Sequence, residues 1–348
     1  MKQGFGIIGT GLIAKHHAKA LSGVPNAYVA AVCSRNEQRA ASFAEEFSCK
    51  PYNDVKKMLS DPNVSIVSIC TPSGTHLDSV IACAEAGRHV IVEKPLEITL
   101  ERCDAAIEVA QKHGVYLGVV FQSRYFEAAS LVKKAIDDGR FGNMVLGDAY
   151  VKWFRSQAYY DDGGWKGTKQ LDGGGALINQ SIHAIDLLQW YMGKVESVSG
   201  YVGVRGHERI DVEDNAAAAL HFASGAFGVI EGSTAVYPGF LKRIEICGTA
   251  GSAVLEEEDL KTWSFSEELP EDNEIRRKYG AATETGGGVA DPAAIGTEGH
   301  RRQFVDFIHA VESKKPYLLD GVEARKSVAI ILAIYESSET GRSVKVQA

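Results

Sequence analysis

Residues 5–14 read Phe-Gly-Ile-Ile-Gly-Thr-Gly-Leu-Ile-Ala, and this stretch decides the fold of the 348-residue chain. An apolar strand runs directly into a glycine turn, and a helical pattern follows over residues 12–21. Gly9 permits the tight turn, Gly11 lets the backbone approach a pyrophosphate, and the small Ala14 lets the helix pack against the strand. The N-terminus of the helix offers backbone N–H groups to phosphates. In this context the motif predicts a dinucleotide-binding domain.

The rest of the N-terminal third alternates apolar runs with helical patterns. The apolar runs cover residues 28–32, 64–70, 89–92 and 115–121, and the helical patterns cover residues 37–47, 76–86 and 100–113. This alternation is typical of βαβ units, and unbroken apolar runs are typical of a parallel sheet covered on both faces. We therefore predict an α/β fold with a doubly wound parallel sheet over residues 1–122.

The pattern changes after residue 122. One helix is predicted over residues 128–138, a strand over 143–155 and a long apolar helix over 176–192. Six strands are then predicted at 195–205, 214–222, 226–235, 241–247, 252–256 and 261–265, and two closing helices at 297–314 and 322–340. Short turns between successive strands indicate a mainly antiparallel sheet. Residues 123–348 are thus predicted to form a second, α+β domain.

Composition excludes several classes of partner. The formal net charge of −8 and the lack of a basic stripe argue against nucleic acid. No apolar run approaches the roughly 18–20 residues that span a bilayer, so no membrane partner is expected. The six cysteines lack Cys-x-x-Cys spacing, which predicts buried thiols in a reducing cytoplasm. No metal site is expected, and His16 and His17 on the first helix are predicted to lie at the surface.

Candidate reactive groups follow two strands of the predicted parallel sheet, at the edge where such sheets bind ligands. Residues 71–76 follow one strand, and Glu93-Lys94-Pro95 follows the next. A residue before proline is restricted to extended backbone, so Lys94 is predicted to point into the crevice beside a nicotinamide. A surface Lys-Pro turn is an equally open alternative from these three residues alone.

A second candidate lies on the apolar helix. Asn179, His183 and Asp186 are spaced i, i+4 and i+7, which places them on one helix face below a run of three glycines at 173–175. Polar groups on a buried helix are costly unless they are partnered or line a pocket. A ligand-facing role for His183 is favoured over that of a core histidine.

Taken together, Gly9-x-Gly11-x-x-Ala14, Glu93-Lys94-Pro95 and Gly173-Gly174-Gly175 with Asn179-x-x-x-His183 resemble the glucose–fructose oxidoreductase/inositol dehydrogenase/rhizopine-catabolism (Gfo/Idh/MocA) family. The resemblance covers essentially the whole chain. It implies a Rossmann domain that holds NAD or NADP, and a second domain whose large open sheet commonly packs against another subunit. A homodimer or homotetramer is therefore expected.

The resemblance also implies roles for three residues. It places the family's catalytic lysine at Lys94 and its helix histidine at His183. Inositol dehydrogenases of the family have an aspartate four residues before that histidine, where this chain has Asn179. An asparagine orients a hydroxyl but takes no proton, so His183 becomes the stronger base candidate, and Lys94 is expected to stabilise the developing alkoxide.

The expected ligand contacts extend beyond these three residues. For the cofactor they are Gly9, Thr10, Gly11, Leu12, Ile13, Ser34, Arg35, Arg39, Thr71, Pro72, His76, Glu93, Lys94 and Gln122. For the substrate they are Lys94, Arg124, Tyr160, Trp165, Asn179, His183 and His300. The aromatic residues at 153–165 could equally belong to the core.

Cofactor choice depends on the end of the second strand. An NAD enzyme usually has an acid there, about 20 residues past the glycine turn, for the ribose 2′-hydroxyl. This chain has Ser34 and Arg35 instead, with Arg39 one turn later, and these would accept a 2′-phosphate. NADP is therefore favoured and NAD remains possible, since Arg35 could stack on the adenine of either cofactor.

These expectations amount to an oxidoreductase that transfers hydride between a nicotinamide and a secondary alcohol or ketone of a sugar, polyol or inositol. A nucleotide sugar is less favoured, because no basic cluster is evident. Two alternatives stay open: a non-catalytic NAD(P) sensor of the same fold, and a lyase or glycosidase that recycles its cofactor. A sensor has no need of Lys94 and His183.

Overall fold

The computed structural model describes residues 2–161, 164–280 and 296–347. The strands are β1 (Gln3–Ile8), β2 (Ala27–Cys33), β3 (Lys50–Tyr52), β4 (Ile66–Ile69), β5 (His89–Val92), β6 (Leu117–Val119), β7 (Met144–Lys152), β8 (Val195–Gly203), β9 (Asn215–Phe222), β10 (Phe227–Ser233), β11 (Arg243–Gly248), β12 (Gly251–Glu256), β13 (Asp259–Phe265) and β14 (Val344–Lys345). The α-helices are α1 (Leu12–Ser22), α2 (Glu37–Phe47), α3 (Val55–Leu59), α4 (His76–Glu85), α5 (Leu100–His113), α6 (Glu127–Asp137), α7 (Gln157–Asp161), α8 (Ile182–Met192), α9 (Asp272–Tyr279), α10 (Glu298–Ser313) and α11 (Gly321–Thr340).

A six-stranded sheet in the order β3-β2-β1-β4-β5-β6 forms the centre of the first unit. Every neighbouring pair in it is parallel. Central strand residues such as Ile7, Val67 and Ile91 are fully buried, as expected where helices cover both faces. The predicted doubly wound parallel sheet is confirmed.

The first unit consists of Met1–Gln122 together with Thr297–Arg325, and the second of Ser123–Gly296 with Lys326–Ala348. This division differs from the predicted one, because residues 297–325 return to the first unit. The side chain of Gln303 on α10 bonds to backbone of the sixth-strand region, accepting from Phe121 N at 3.1 Å and donating to Val119 O at 2.7 Å. The ring of Phe304 packs edge-on against Phe5 of β1, with centroids 5.8 Å apart. Such long-range contacts leave no trace in local sequence pattern.

An eight-stranded sheet in the order β13-β12-β11-β7-β10-β9-β8-β14 forms the second unit. Its pairs are antiparallel except β7 with β10, which confirms the mainly antiparallel sheet. All six strands predicted between residues 195 and 265 are present. Helix α8 covers the inner face so closely that a Cβ added at Gly147 would lie 2.5 Å from Met192 Cγ.

Several short elements carried no recognisable pattern. β3 is a three-residue edge strand that contains Pro51, a residue that an edge strand tolerates because it need not donate to a second neighbour. Helices α3 and α7 have five residues each, and α9 is highly charged. The predicted helix 176–192 is also two pieces, since Ala176–Ser181 forms a π-helical turn before α8. No α-helix in the described part of the chain is long and apolar enough to cross a membrane.

Candidate active site

The glycine turn has the geometry that a dinucleotide requires. Gly9 has a φ of +114°, and a Cβ there would lie 2.5 Å from the carbonyl oxygen of Cys70, so no other residue fits the turn without strain. A Cβ at Gly11 would meet no atom within 4 Å, which leaves that side of the backbone open to a pyrophosphate. Ala14 is fully buried against the sheet. The residues present therefore fit the cofactor that the motif implies.

The first turn of α1 borders this open backbone. No side chain caps the helix at Gly11, so its N-terminal N–H groups remain suited to phosphate oxygens. Leu12 is 60% exposed, and Thr10 and Ile13 are half-buried. These positions agree with the predicted contacts to cofactor, which stay a prediction.

Residues after β2 form a capped turn without a carboxylate at positions 34–36. Ser34 Oγ accepts from the backbone N–H of Asn36 at 3.3 Å, and Asn36 Oδ1 accepts from Arg39 N at 3.0 Å to cap α2. The side chains of Arg35 and Arg39 are exposed. Two cations therefore flank the position where the ribose of a bound dinucleotide is expected.

Three buried groups hold the loop that carries Lys94. Glu93 Oε1 lies 2.7 Å from His17 Nε2, and Glu93 Oε2 accepts from the backbone N–H of Lys94 at 3.2 Å. His76 Nδ1 lies 2.9 Å from the carbonyl oxygen of Pro95, and its Nε2 lies 3.0 Å from that of Thr71. Both His76 nitrogens thus face backbone carbonyl oxygens. His76 joins the ends of β4 and β5.

Glu97 secures the far side of the same loop. Its carboxylate is fully buried and accepts from Leu77 N at 3.0 Å and from Arg102 Nη2 at 2.9 Å. The backbone on both sides of Lys94 is therefore fixed by hydrogen bonds. A lysine on such a rigid loop is pre-organised to act on a bound group.

His17 is fully buried, so the prediction that it lies at the surface was wrong. It sits on the sheet side of α1, where its Nδ1 is 2.7 Å from Ser68 Oγ. Burial opposes the charge on the ring, but Cys70 and the Glu93 carboxylate together raise the pKa of His17 to about 10. For Glu93, burial is outweighed by His17, which lowers the pKa of the carboxyl to about 2. The two groups form a buried ion pair.

His300 belongs to the same cluster. It is 2% exposed, its Nε2 lies 4.0 Å from Glu93 Oε1, and its ring is 5.4 Å from that of His17. Among the described residues, His17, Glu93 and His300 form the one group whose ligand atoms could hold a metal, all within 4.8 Å of one another. The short His17–Glu93 distance already makes an internal hydrogen bond. Burial in this cluster gives His300 a packing role in the first unit, and its predicted substrate contact remains untested.

In the second unit, close packing explains why two of the three positions before the π-helical turn are glycine. A Cβ at Gly174 would lie 2.1 Å from Tyr335 Oη, and one at Gly175 would lie 1.9 Å from the carbonyl oxygen of Glu213. The buried Glu213 carboxylate accepts from Gly175 N at 3.0 Å and from Leu177 N at 2.8 Å. The groups that approach these glycines are thus protein groups, and they fix the start of the turn that carries Asn179.

Asn179 is a member of a hydrogen-bonded series that we call the Arg155–Asp172 chain. Arg155 Nη2 donates to Gln180 Oε1 at 3.0 Å, and Gln180 Nε2 donates to Asn179 Oδ1 at 3.2 Å. Asn179 Nδ2 then donates to Asp172 Oδ1 at 2.6 Å. The charged ends are 3% and 1% exposed, while Asn179 and His183 are half-buried.

Asp186 and Arg124 form a buried ion pair. The Asp186 carboxylate is fully buried and accepts from Arg124 Nε at 2.7 Å and Nη2 at 2.6 Å. The guanidinium also lies 4.9 Å from the ring centre of Trp190. This bidentate pair gives Arg124 a structural role and gives the buried Asp186 a charged partner within the second unit.

The remaining predicted residues are placed as follows. Tyr160 is 6% exposed and its hydroxyl lies 2.8 Å from Thr234 Oγ1, which favours the core alternative for this aromatic ring. Trp165 is half-buried, and Gln122 is buried in a 3₁₀ turn. Lys94 and the cofactor residues belong to the first unit, and Asn179 and His183 to the second. Sequence reasoning missed the roles of Asp172, Gln180 and Glu213; only Asp172, directly before the glycine run, had a local signal.

Comparisons with known proteins find matches for both parts of the chain. Residues 3–121 match the model of the GFO_IDH_MocA oxidoreductase family, NAD-binding Rossmann fold, and residues 130–254 match the GFO/IDH/MocA C-terminal domain. The chain is 30% identical to myo-inositol 2-dehydrogenase of Thermotoga maritima, with 98% of each chain covered. It is 33% identical to scyllo-inositol 2-dehydrogenase (NAD(+)) of Bacillus subtilis over 71% of each chain.

A similar solved structure is the WlbA dehydrogenase of Bordetella pertussis in complex with NADH and UDP-GlcNAcA. It is 32% identical, with a TM-score of 0.88 and 100% of both chains covered.

The His17–Glu93 pair predicts how stability varies with pH. The raised pKa of His17 means that its contribution is fully present below 6.5 and is lost as pH rises through about 10. The lowered pKa of Glu93 means that its contribution is present above 4.5 and is lost as pH falls through about 2. The stability lost in His17→Gln, measured by urea titration, should therefore be largest between these limits and shrink toward pH 10. The exposed His113→Gln serves as control, and a pH-independent difference for His17→Gln would contradict the ion pair.

Proposed function

The chain belongs to the GFO/IDH/MocA oxidoreductase family, as its three motifs predicted, and from this membership we propose that it oxidises a secondary hydroxyl on a sugar or cyclic polyol. Membership makes it an oxidoreductase with an NAD-binding Rossmann fold. The observation that carries the proposal is the joint presence of the open Gly11 turn, the rigid Lys94 loop and the half-buried Asn179 and His183. The reaction is reversible, so the same groups serve ketone reduction.

We assign the chemistry to three side chains. His183 accepts the hydroxyl proton, because a histidine titrates near neutral pH and its neutral ring is a base. The Lys94 ammonium stabilises the alkoxide charge as it develops. Asn179 holds the reacting hydroxyl by hydrogen bonding. The bound nicotinamide supplies the hydride acceptor, and Gly9, Gly11 and the first turn of α1 would hold its dinucleotide.

The substrate class rests on the named relatives. Two of them are inositol 2-dehydrogenases, and the similar WlbA dehydrogenase was solved with a UDP-linked sugar acid. A free polyol or sugar is our first candidate and a nucleotide-linked sugar the second. The free thiols support a reducing compartment such as the cytoplasm.

The catalytic prediction uses a substrate panel and three variants. Purified protein is mixed with NAD or NADP and with myo-inositol, scyllo-inositol, levoglucosan or UDP-GlcNAcA, and absorbance of the reduced nicotinamide is followed. His183→Ala and Lys94→Ala should each lower kcat by roughly 10²–10⁴-fold, the usual worth of such a group, with cofactor binding nearly unchanged. The wild-type kcat/KM for oxidation should rise with pH through the ionisation of His183.

The exposed Lys134→Ala, at the C-terminal end of α6, is the matched control for loss of a lysine. A His183→Ala protein with near-normal kcat and an unchanged pH limb would assign the base elsewhere. No turnover by the wild type with any of the four substrates would reject the proposed substrate class.

Cofactor preference is a separate proposal. We favour NADP because Arg35 and Arg39 are exposed beside a turn that has no acid at residues 34–36. The relative solved with NADH makes NAD the competing result. Fluorescence titration should show tighter binding of NADP, and Arg35→Ala should weaken NADP far more than NAD. Equal or tighter binding of NAD by the wild type would contradict the preference.

The outer face of the second sheet supports a homo-oligomer. Leu146, Tyr201 and Phe227 are 44%, 78% and 60% exposed on it, and Phe227 lies in register with Leu146 across the β7–β10 pair. Exposed apolar residues grouped in this way mark interaction surfaces. Light scattering should give a dimer or tetramer, and Phe227→Glu should shift it toward monomer, whereas Leu318→Glu, at a 54% exposed leucine of the first unit, should not. A wild-type monomer at micromolar concentration would contradict this.

A further inference from the structure

The Arg155–Asp172 chain has a defined direction. A guanidinium can only donate hydrogen bonds, and an ionised carboxylate can only accept them. Gln180 must therefore turn its oxygen to Arg155, and Asn179 must turn its nitrogen to Asp172. The remaining link, from Gln180 Nε2 to Asn179 Oδ1, agrees with both requirements. Two buried charges thus set the orientation of both amides.

A second hydrogen bond holds the other oxygen of the Asp172 carboxylate. Its second oxygen, Oδ2, accepts from the backbone N–H of Gly167 at 2.9 Å. The carboxylate is 1% exposed, so it does not reorient freely. Its Oδ1 is then the fixed point from which Asn179 takes its orientation.

We propose that Asp172 is a positioning residue for the reaction: it fixes the amide of Asn179 in the single orientation in which that amide holds the substrate hydroxyl. This inference rests on the proposed function, in which Asn179 contacts substrate. Position 179 then supplies no titratable group, and the acid next to it acts only through the amide. Proton transfer is left to His183.

Counting donors and acceptors predicts how exchanges at the two positions behave. In Asn179→Asp, two carboxylates face each other where the native donor and acceptor are 2.6 Å apart. In Asp172→Asn, the new amide has one oxygen for two N–H groups, those of Gly167 and Asn179, so one bond is lost. In the double exchange Asp172→Asn/Asn179→Asp, the amide at 172 accepts from Gly167 and donates to the acid at 179. That acid also accepts from Gln180, so each of these three donors keeps an acceptor.

The test compares the two single variants, the double exchange and a control. The control is Asp161→Asn, which removes an exposed carboxylate on α7. For each protein kcat and KM are measured from pH 6 to 9 with the best substrate of the panel. Thermal unfolding is measured over the same range, since it reports on the pair without turnover.

The expected result is that the exchange rescues the stability of the pair and not the activity. Asp172→Asn should raise KM about tenfold, the equivalent of one lost hydrogen bond, with a smaller effect on kcat. Asn179→Asp should lose about 100-fold or more in kcat/KM at high pH, and its activity should fall as pH rises while that of the wild type rises. The double exchange should recover the stability lost in Asn179→Asp but not its kcat/KM, because a carboxylate at 179 has no N–H to donate to the substrate hydroxyl, and the control should match the wild type.

Thermal unfolding tests the same pair through the pH dependence of stability. Two facing carboxyls share a raised pKa, so stability of Asn179→Asp should fall, relative to wild type, as pH rises through that value. The double exchange should remove this dependence. Three results overturn the proposal: wild-type kinetics in Asp172→Asn, a double exchange with wild-type kcat/KM, or variants that change thermal stability without moving KM or the pH profile.

Failure of the proposed function can be told apart from failure of this inference, because the wild type would then turn over none of the substrates in the panel. In that case the unfolding experiment still decides on the pair. An Asn179→Asp protein with the wild-type pH dependence of stability overturns it.

Discussion

A charge buried in a protein interior must be paired and hydrogen-bonded, and in this chain that requirement organises the loops that carry function. Glu93 stands at the end of β5, where a bare carboxylate would be very costly. His17 from the first helix takes one of its oxygens, and the backbone of Lys94 takes the other. The need to satisfy Glu93 therefore sets the backbone of the lysine beside it. Stability and the placement of a reactive group have one physical cause here.

In the second unit, two buried carboxylates hold a functional segment in the same way. Glu213 has its pKa raised by burial, partly offset by the N–H groups of Leu177 and Gly175 that it accepts, and those N–H groups begin the π-helical turn. Asp172 is buried seven residues before Asn179 and holds its amide. Each carboxylate anchors backbone or side chain at one end of the turn. The turn is thus held from both sides.

Sequence patterns predicted the parts of the molecule that local chemistry controls. The Gly9 turn, the parallel strands and the six strands after residue 195 follow from periodicity and turn residues, so they were recoverable. The return of residues 297–325 to the first unit could not be predicted in this way, because Gln303 bonds to backbone some 180 positions earlier in the chain. Burial of His17 was missed since a His-His pair on a helix reads as polar, and its partner Glu93 lies 76 residues away. The π-helical turn likewise has no periodic signature, which is why residues 176–192 were predicted as one continuous helix.

An asparagine in place of an acid is easily read as the loss of a catalytic group. The surroundings of Asn179 suggest a different account, in which the neutral amide is one link between a buried cation and a buried anion. In such a chain the identity of each residue is constrained by its neighbours, because donors and acceptors must alternate along it. Exchanging a donor for an acceptor at one position therefore requires the opposite exchange at the next position. Position 179 is therefore best interpreted together with Asp172 and Gln180, and the local pattern Asp172-Gly-Gly-Gly with Asn179-Gln180 contains all three of these side chains.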